Sequence, residues 1–178
     1  MTMARAGHRF DRAMPLAEKL ERLARALAPL AAACHELGTP LGINNQGDFY
    51  CSDLVELCAR VPHLGIFLDT GNPYLIGERP LPAAEAAAPF TIGTHFKDHY
   101  VTPNPPDGPL CLLLRGAVPG EGDVGLRQIY EVLRRKAPNP DGLAMILEID
   151  PVEGMEPMDV LRRAAEFVHC LLYTSDAA

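Results

Sequence analysis

Four short and almost wholly apolar runs, each stopped by a polar residue, constrain this chain more than anything else in it. Leu41-Gly42-Ile43 runs into Asn44, Ile66-Phe67-Leu68 into Asp69, Phe90-Thr91-Ile92-Gly93-Thr94 into His95, and Ala144-Met145-Ile146-Leu147 into Glu148. Runs this short and this apolar read as strands rather than helices. Strands without polar alternation belong to parallel sheets, where helical crossovers cover the sheet and leave little of it to water.

The stretches between the runs carry the helical period that such crossovers need. Leu16, Leu20, Leu23, Leu27 and Leu30 recur at spacings of three and four, which predicts an amphipathic helix over 15–37, kinked at Pro29 and capped by Gly38. After the strand Leu41–Asn44, Ser52 is the expected N-cap of a helix through Leu54, Leu57 and Cys58 that Pro62 closes. The strand Leu64–Leu68 then gives way to the turn-rich Asp69-Thr70-Gly71-Asn72-Pro73, and a short helix over Pro82–Ala88 returns the chain to the strand Phe90–Thr94. A Pro-rich loop is expected from Thr102 to Pro119, followed by a helix through Leu126, Ile129, Tyr130 and Leu133 and the strand Leu143–Leu147. Pro157 opens a last helix through Val160, Leu161, Ala164, Ala165 and Val168.

The order α-β-α-β-α-β-α-β-α predicts an α/β fold in which a parallel sheet is covered by helices on its outer face. A closed eight-stranded barrel takes about 250 residues. The 178 residues here therefore predict a parallel (β/α) half-barrel over 10–172, with two open sheet edges through which the chain is expected to self-associate. Beyond Leu172 the apolar stripe stops. Residues 173–178 are expected to lie outside the fold as a disordered tail of vector-derived character.

Composition narrows the function classes. With 48% hydrophobic and 22% charged residues, no apolar stretch approaching the roughly 18 residues of a membrane span, and no apolar core behind the basic N-terminus, the expectation is a globular cytoplasmic protein without membrane contact. Cys34, Cys51, Cys58, Cys111 and Cys170 form no C-x-x-C pair, so neither a disulfide framework nor a zinc clip is suggested. A net charge of −7 with scattered basic residues argues against a nucleic-acid partner.

In a parallel α/β barrel the strand C-termini meet at one mouth, so residues far apart in sequence can surround one ion or substrate. Asp69, His95 and Glu148 are the donor types a divalent cation takes. Each also has a structural reading. Asp69 before Thr70-Gly71 fits an Asx turn, and His95 fits a satisfied core histidine. Glu148 after a wholly apolar strand is harder to place that way, because a buried carboxylate is costly without a cation. Gly120-Glu121-Gly122-Asp123 lacks the Lys and Ser/Thr of a phosphate-binding loop and reads as a loop entering a helix. Of the remaining histidines, only His99 lies close to this rim in sequence.

Ile43-Asn44-Asn45-Gln46-Gly47-Asp48, Leu68-Asp69-Thr70-Gly71-Asn72, His95-Phe96-Lys97-Asp98, Gly120-Glu121-Gly122-Asp123 and Leu147-Glu148, taken in order, resemble the xylose-isomerase-like barrels. These include sugar and sugar-phosphate isomerases and epimerases. The resemblance covers the last four strands of the family's TIM barrel. It implies a divalent metal ion (Mn²⁺, Mg²⁺, Co²⁺ or Zn²⁺) held by the residues at positions 44, 69, 95 and 148, and a small sugar as substrate. The implied reaction moves a proton next to a carbonyl through a metal-stabilised enediolate, with Glu148 as the catalytic carboxylate and Asn72, Lys97 and Asp98 binding substrate. Where many members read Glu-Asn-His, this chain reads Asn44-Asn45-Gln46, so the first ligand position holds a neutral amide that brings no charge and cannot act as a base. Alternatives are a non-catalytic truncated or degenerate barrel that at most binds sugar, and an abasic-site endonuclease of similar barrel fold.

Overall fold

The structure, a computed structural model, describes residues 8–109 and 111–174. Its elements follow the order α1 (Leu16–Glu36), β1 (Leu41–Asn44), α2 (Cys51–Arg60), β2 (Leu64–Asp69), α3 (Pro80–Ala87), β3 (Thr91–Phe96), β4 (His99–Pro103), β5 (Leu112–Gly116), α4 (Leu126–Lys136), β6 (Ala144–Leu147) and α5 (Pro157–Thr174). A 3₁₀ turn over Asn72–Ile76 precedes α3, and another over Ala88–Phe90 follows it. Strands β1, β2, β3 and β6 pair in that order, every pair parallel. This is a four-stranded parallel sheet with its covering helices, the arrangement of half a (β/α) barrel.

Helix α1 buries Leu20, Leu23, Leu27 and Ala31 along one stripe and continues through Pro29. Gly38, at φ 68°, ends it in a Schellman motif: the Thr39 N–H donates to the Cys34 carbonyl at 2.9 Å and the Gly38 N–H to that of His35 at 3.0 Å. Lys19, 1% exposed, is buried on the same helix because its ammonium donates to the His8 and Asp11 carbonyls at 2.6 and 2.8 Å. Helix α2 begins two residues earlier than Ser52 as N-cap would place it. Its N-cap is Tyr50, whose N–H donates to the Asp53 carboxylate at 2.9 Å, so the cap lies in an acid three residues on rather than in a hydroxyl.

The Pro-rich stretch expected as a loop holds the end of β4 and all of β5, which pair as an antiparallel hairpin from His99↔Gly116 to Pro103↔Leu112. Proline masks it in sequence. Pro103 terminates β4, where the missing N–H breaks no interior ladder bond. Helix α5 runs through Thr174, and the Tyr173 ring lies 4.3 Å from that of His169, so 173 and 174 belong to the helix, whereas 175–178 lie outside the described residues.

The core lies between sheet and helices, where Ile43, Ile66, Leu68 and Phe96 meet Leu20, Leu54, Leu57, Ile129 and Leu133. The other face of the sheet is filled differently. Between Ile66 and Phe67 the register shifts: Ile66 pairs with Thr91 but Phe67 with Gly93, so Ile92 is an extra residue on β3. Phe67 and Ile92 spread across this inner face over glycines. A Cβ at Gly93 would lie 2.4 Å from the Phe67 ring, and one at Gly65 would lie 2.6 Å from Ile92. The edge strand β6 leaves Ile146 49% exposed.

Gly93→Ala should therefore destabilise the fold by about 1–3 kcal/mol through overpacking. Thermal melts should show Phe67→Leu recovering part of that loss in the double variant, and simple additivity of the two changes would contradict this account.

Candidate metal centre

Asp69 closes β2 and is 1% exposed. Its backbone is clasped by one amide: the Asp69 N–H donates to Asn45 Oδ1 at 2.7 Å, and Asn45 Nδ2 donates to the Asp69 carbonyl at 2.9 Å. One carboxylate oxygen, Oδ1, accepts the N–H groups of Gly71 and Asn72 at 2.9 and 2.8 Å, so the Asx turn is real. The other, Oδ2, is buried with no hydrogen-bond partner among the described residues. Burial raises the Asp69 pKa to about 6, with the Asn72 N–H and the Lys97 charge opposing and Glu148 adding to the rise.

His95 lies opposite Asp69 in the β2–β3 register. Its ring meets Phe67 edge-on at 5.0 Å, and Nδ1 is 4.0 Å from Asp69 Oδ2. Glu148 follows β6, with its backbone N–H held by the Phe96 carbonyl at 3.2 Å. Glu148 Oε2 approaches His95 Nδ1 to 3.0 Å, but no hydrogen bond of acceptable geometry links the nitrogen to any group. One ligand atom from each of Asp69, His95 and Glu148 lies within 4.8 Å of the others.

That geometry fits a cation. Two donors about 3 Å apart, His95 Nδ1 and Glu148 Oε2, match adjacent corners of an octahedron with bonds of roughly 2.1 Å. Two buried donor atoms without partners, Asp69 Oδ2 and His95 Nδ1, are atoms whose desolvation a metal would offset. Two carboxylates and one imidazole suit Mg²⁺, Mn²⁺, Co²⁺ or Zn²⁺.

The other expected site residues fare unequally. Asn44 is 2% exposed and its amide is engaged: Nδ2 donates to the Phe67 carbonyl at 2.9 Å, while Oδ1 accepts from Gln46. A cation would have to take that oxygen from Gln46. Asn72 gives its side-chain amide to the Asn45 carbonyl at 3.0 Å and its N–H to Asp69, which makes it a buttress of the aspartate. Asp98, expected to bind substrate, has both oxygens occupied by the protein. It accepts the N–H groups of His99 and Gly120 at 2.9 Å, Gly122 at 3.1 Å and Val124 at 3.2 Å. The glycine-rich loop thus does form an anion cradle, filled by the chain's own carboxylate. Burial raises the Asp98 pKa while those four N–H groups pull it down.

Lys97 does reach the rim. Its ammonium donates to Glu148 Oε1 at 2.8 Å and lies 3.3 Å from Asp150 Oδ2. Burial works to lower its pKa, but the bond to Glu148 and the charges of Asp69 and Asp150 prevail and hold it above the ordinary value. Thr70 fixes the lysine backbone, accepting the Lys97 N–H at 2.9 Å and donating to its carbonyl at 2.7 Å. His99 is 4% exposed, packs against Gly71 and sits with Nδ1 3.8 Å from Asp150 Oδ2. Asn45, Thr70 and Asp150 were not singled out from sequence. Only Asp150 carries a signal, two residues beyond Glu148 and so on the same side of an extended chain.

A family profile described as xylose isomerase-like TIM barrel matches residues 2–169, and the chain belongs to that family. No curated protein matches it. Among solved structures, a xylose isomerase domain protein from Planctomyces limnophilus is similar at 21% identity and TM-score 0.67, over 94% of this chain and 56% of that one. An L-ribulose 3-epimerase is similar at 16% identity and TM-score 0.66, over 96% and 60%. A xylose isomerase-like TIM barrel protein from Mycobacterium smegmatis, in complex with magnesium, is similar at 21% identity and TM-score 0.63, over 94% and 53%. The chain thus spans little more than half the length of these structures, and at such identities the likeness is one of fold. Among the described residues no helix is long and apolar enough to cross a membrane.

Asp69 makes the metal-free stability depend on pH. The folded chain holds this proton to about pH 6, whereas an ordinary aspartate carboxyl releases it near 3.8, so between these values the folded state is richer in protons and its stability falls as pH rises. Asp69→Asn should remove that slope and raise metal-free stability at pH 7 by on the order of 2 kcal/mol. Equal melting temperatures for variant and parent at pH 7 would contradict it.

Proposed function

We propose that this chain carries the metal-binding and proton-transferring half of a sugar isomerase or epimerase. The observation that carries the reading is the convergence of Asp69, His95 and Glu148 from three strand ends, with two of their donor atoms buried and without a hydrogen-bond partner among the described residues. Asp69, His95 and Glu148 would hold a divalent ion, with Asn44 as a neutral fourth donor if it releases Gln46. When bound, that ion supplies polarisation of a carbonyl and its neighbouring hydroxyl.

The chain's own groups do the rest. Glu148 is only partly buried, so a substrate can approach its carboxylate from the open side, where it takes and returns the proton next to the carbonyl. The Lys97 ammonium, held beside it, donates to a sugar oxygen and favours negative charge there. Phe67 packs edge-on against the His95 ring and supports it from the inner face of the sheet. A small sugar is the substrate class this rim suits; the epimerase fold neighbours support the same choice.

Calorimetric titration with Mn²⁺ tests the centre directly. Asp69→Asn and His95→Ala should each weaken binding at least tenfold, Asn44→Glu should tighten it by adding a charged ligand, and parent-like affinity in the first two would overturn the reading. For the chemistry, a panel of ketoses in D₂O should gain deuterium next to the carbonyl with the parent chain and Mn²⁺ but not with Glu148→Gln.

The exposed β6 edge and the open inner face support self-association of the chain on its own. Sedimentation velocity should show species larger than a monomer. A monodisperse monomer that unfolds cooperatively would count against it.

A further inference from the structure

Lys97 places a fixed positive charge where a metal-binding rim would be expected to avoid one. Its side chain is 11% exposed, its backbone is held on both sides by Thr70, and its stem packs against Gly71. The ammonium donates to Glu148 Oε1 at 2.8 Å and pairs ionically with Asp150 Oδ2 at 3.3 Å. Glu148 in turn faces two cation positions, Lys97 through Oε1 and the His95–Asp69 side through Oε2. One carboxylate is shared between a resident ammonium and the proposed divalent ion.

We infer that Lys97 is a built-in counter-cation of the metal centre, competing with the divalent ion for Glu148, and that Asp150 is the second acceptor that lets it yield. The inference rests on the metal-centre reading above. Without a metal, Lys97 offsets the repulsion among Asp69, Glu148 and Asp150, which would otherwise be three acids gathered at one rim. When the ion enters, Glu148 turns towards it and the ammonium remains held by Asp150. The lysine therefore stabilises the metal-free rim and lowers the affinity for metal at once. With neutral Asn44 in the first of the four ligand positions, only two of the four are carboxylates, and a nearby positive charge weighs more heavily against a divalent ion.

The test is Mn²⁺ affinity measured by calorimetry on the whole chain. Lys97→Met removes the charge and keeps most of the stem; Lys97→Gln removes the charge and keeps a donor. Both should bind Mn²⁺ roughly five- to tenfold more tightly than the parent, the scale expected of one partly buried ion pair, while Lys97→Arg should not. Asp150→Asn should weaken binding severalfold in the parent and lose most of that effect in the Lys97→Met background, because Asp150 acts through the lysine. Thermal melts confirm that each variant is folded. If the parent binds Mn²⁺ and Asp69→Asn abolishes it, yet neither neutral Lys97 variant binds more tightly, the counter-cation role is overturned and the metal centre stands. If neither the parent nor the neutral variants bind Mn²⁺, both fall. Binding detectable only in the neutral variants would support the role in its strongest form.

Discussion

The ladder between β2 and β3, with its one-residue bulge at Ile92, is the constraint on which the site depends. Side chains alternate along a strand, so a slip of one residue exchanges the two faces. With Ile92 as the extra residue, Phe67 pairs with Gly93 and Asp69 with His95, and the imidazole joins the aspartate. Without it, His95 would turn into the helix-covered core. The same bulge places Ile92 beside Phe67 on the inner face, where Gly42, Gly65 and Gly93 leave room for both. Filling of the half-barrel and orientation of the imidazole thus have one cause.

Around that ladder the polar residues fall into two groups. Some hold other residues in place. Asn45 clasps the Asp69 backbone, Thr70 that of Lys97, and Asp98 gathers four N–H groups of the strand end and the glycine-rich loop. Others keep capacity unused: among the described residues, Asp69 Oδ2 and His95 Nδ1 are buried without a hydrogen-bond partner. Burial of an unsatisfied polar atom costs stability, and two such atoms beside a glutamate are the observation from which the proposed metal centre is argued.

The hairpin β4–β5 forms one wall of the rim. It starts at His99, four residues beyond His95, and leans on the segment after Glu148: a Cβ at Gly116 would lie 2.4 Å from the Pro151 carbonyl, and Arg115 pairs with Glu153 at 2.8 Å. The wall thus connects Asp150 and His99 to the strand that carries the imidazole. It is antiparallel and lies outside the barrel sheet, so the spacing of the four parallel strands leaves no trace of it.

What the sequence determined by itself is the parallel frame and the order of its rim. Apolar runs and helical spacings locate the four strands and five helices within a few residues, because burial of whole faces leaves a periodic record. They also put Asp69, His95 and Glu148 at successive strand ends. Only the tertiary structure decided what each polar side chain does there. Asp98 and Asn72 look like substrate contacts in sequence and are held by backbone groups far along the chain. Asn44 is tied to Phe67 and Gln46, and Asp150 draws its role from Lys97, 53 positions away. A strand declares itself through the repeated transfer of its own side chains out of water. A hydrogen bond or ion pair depends on one partner at one distance, and folding alone chooses that partner.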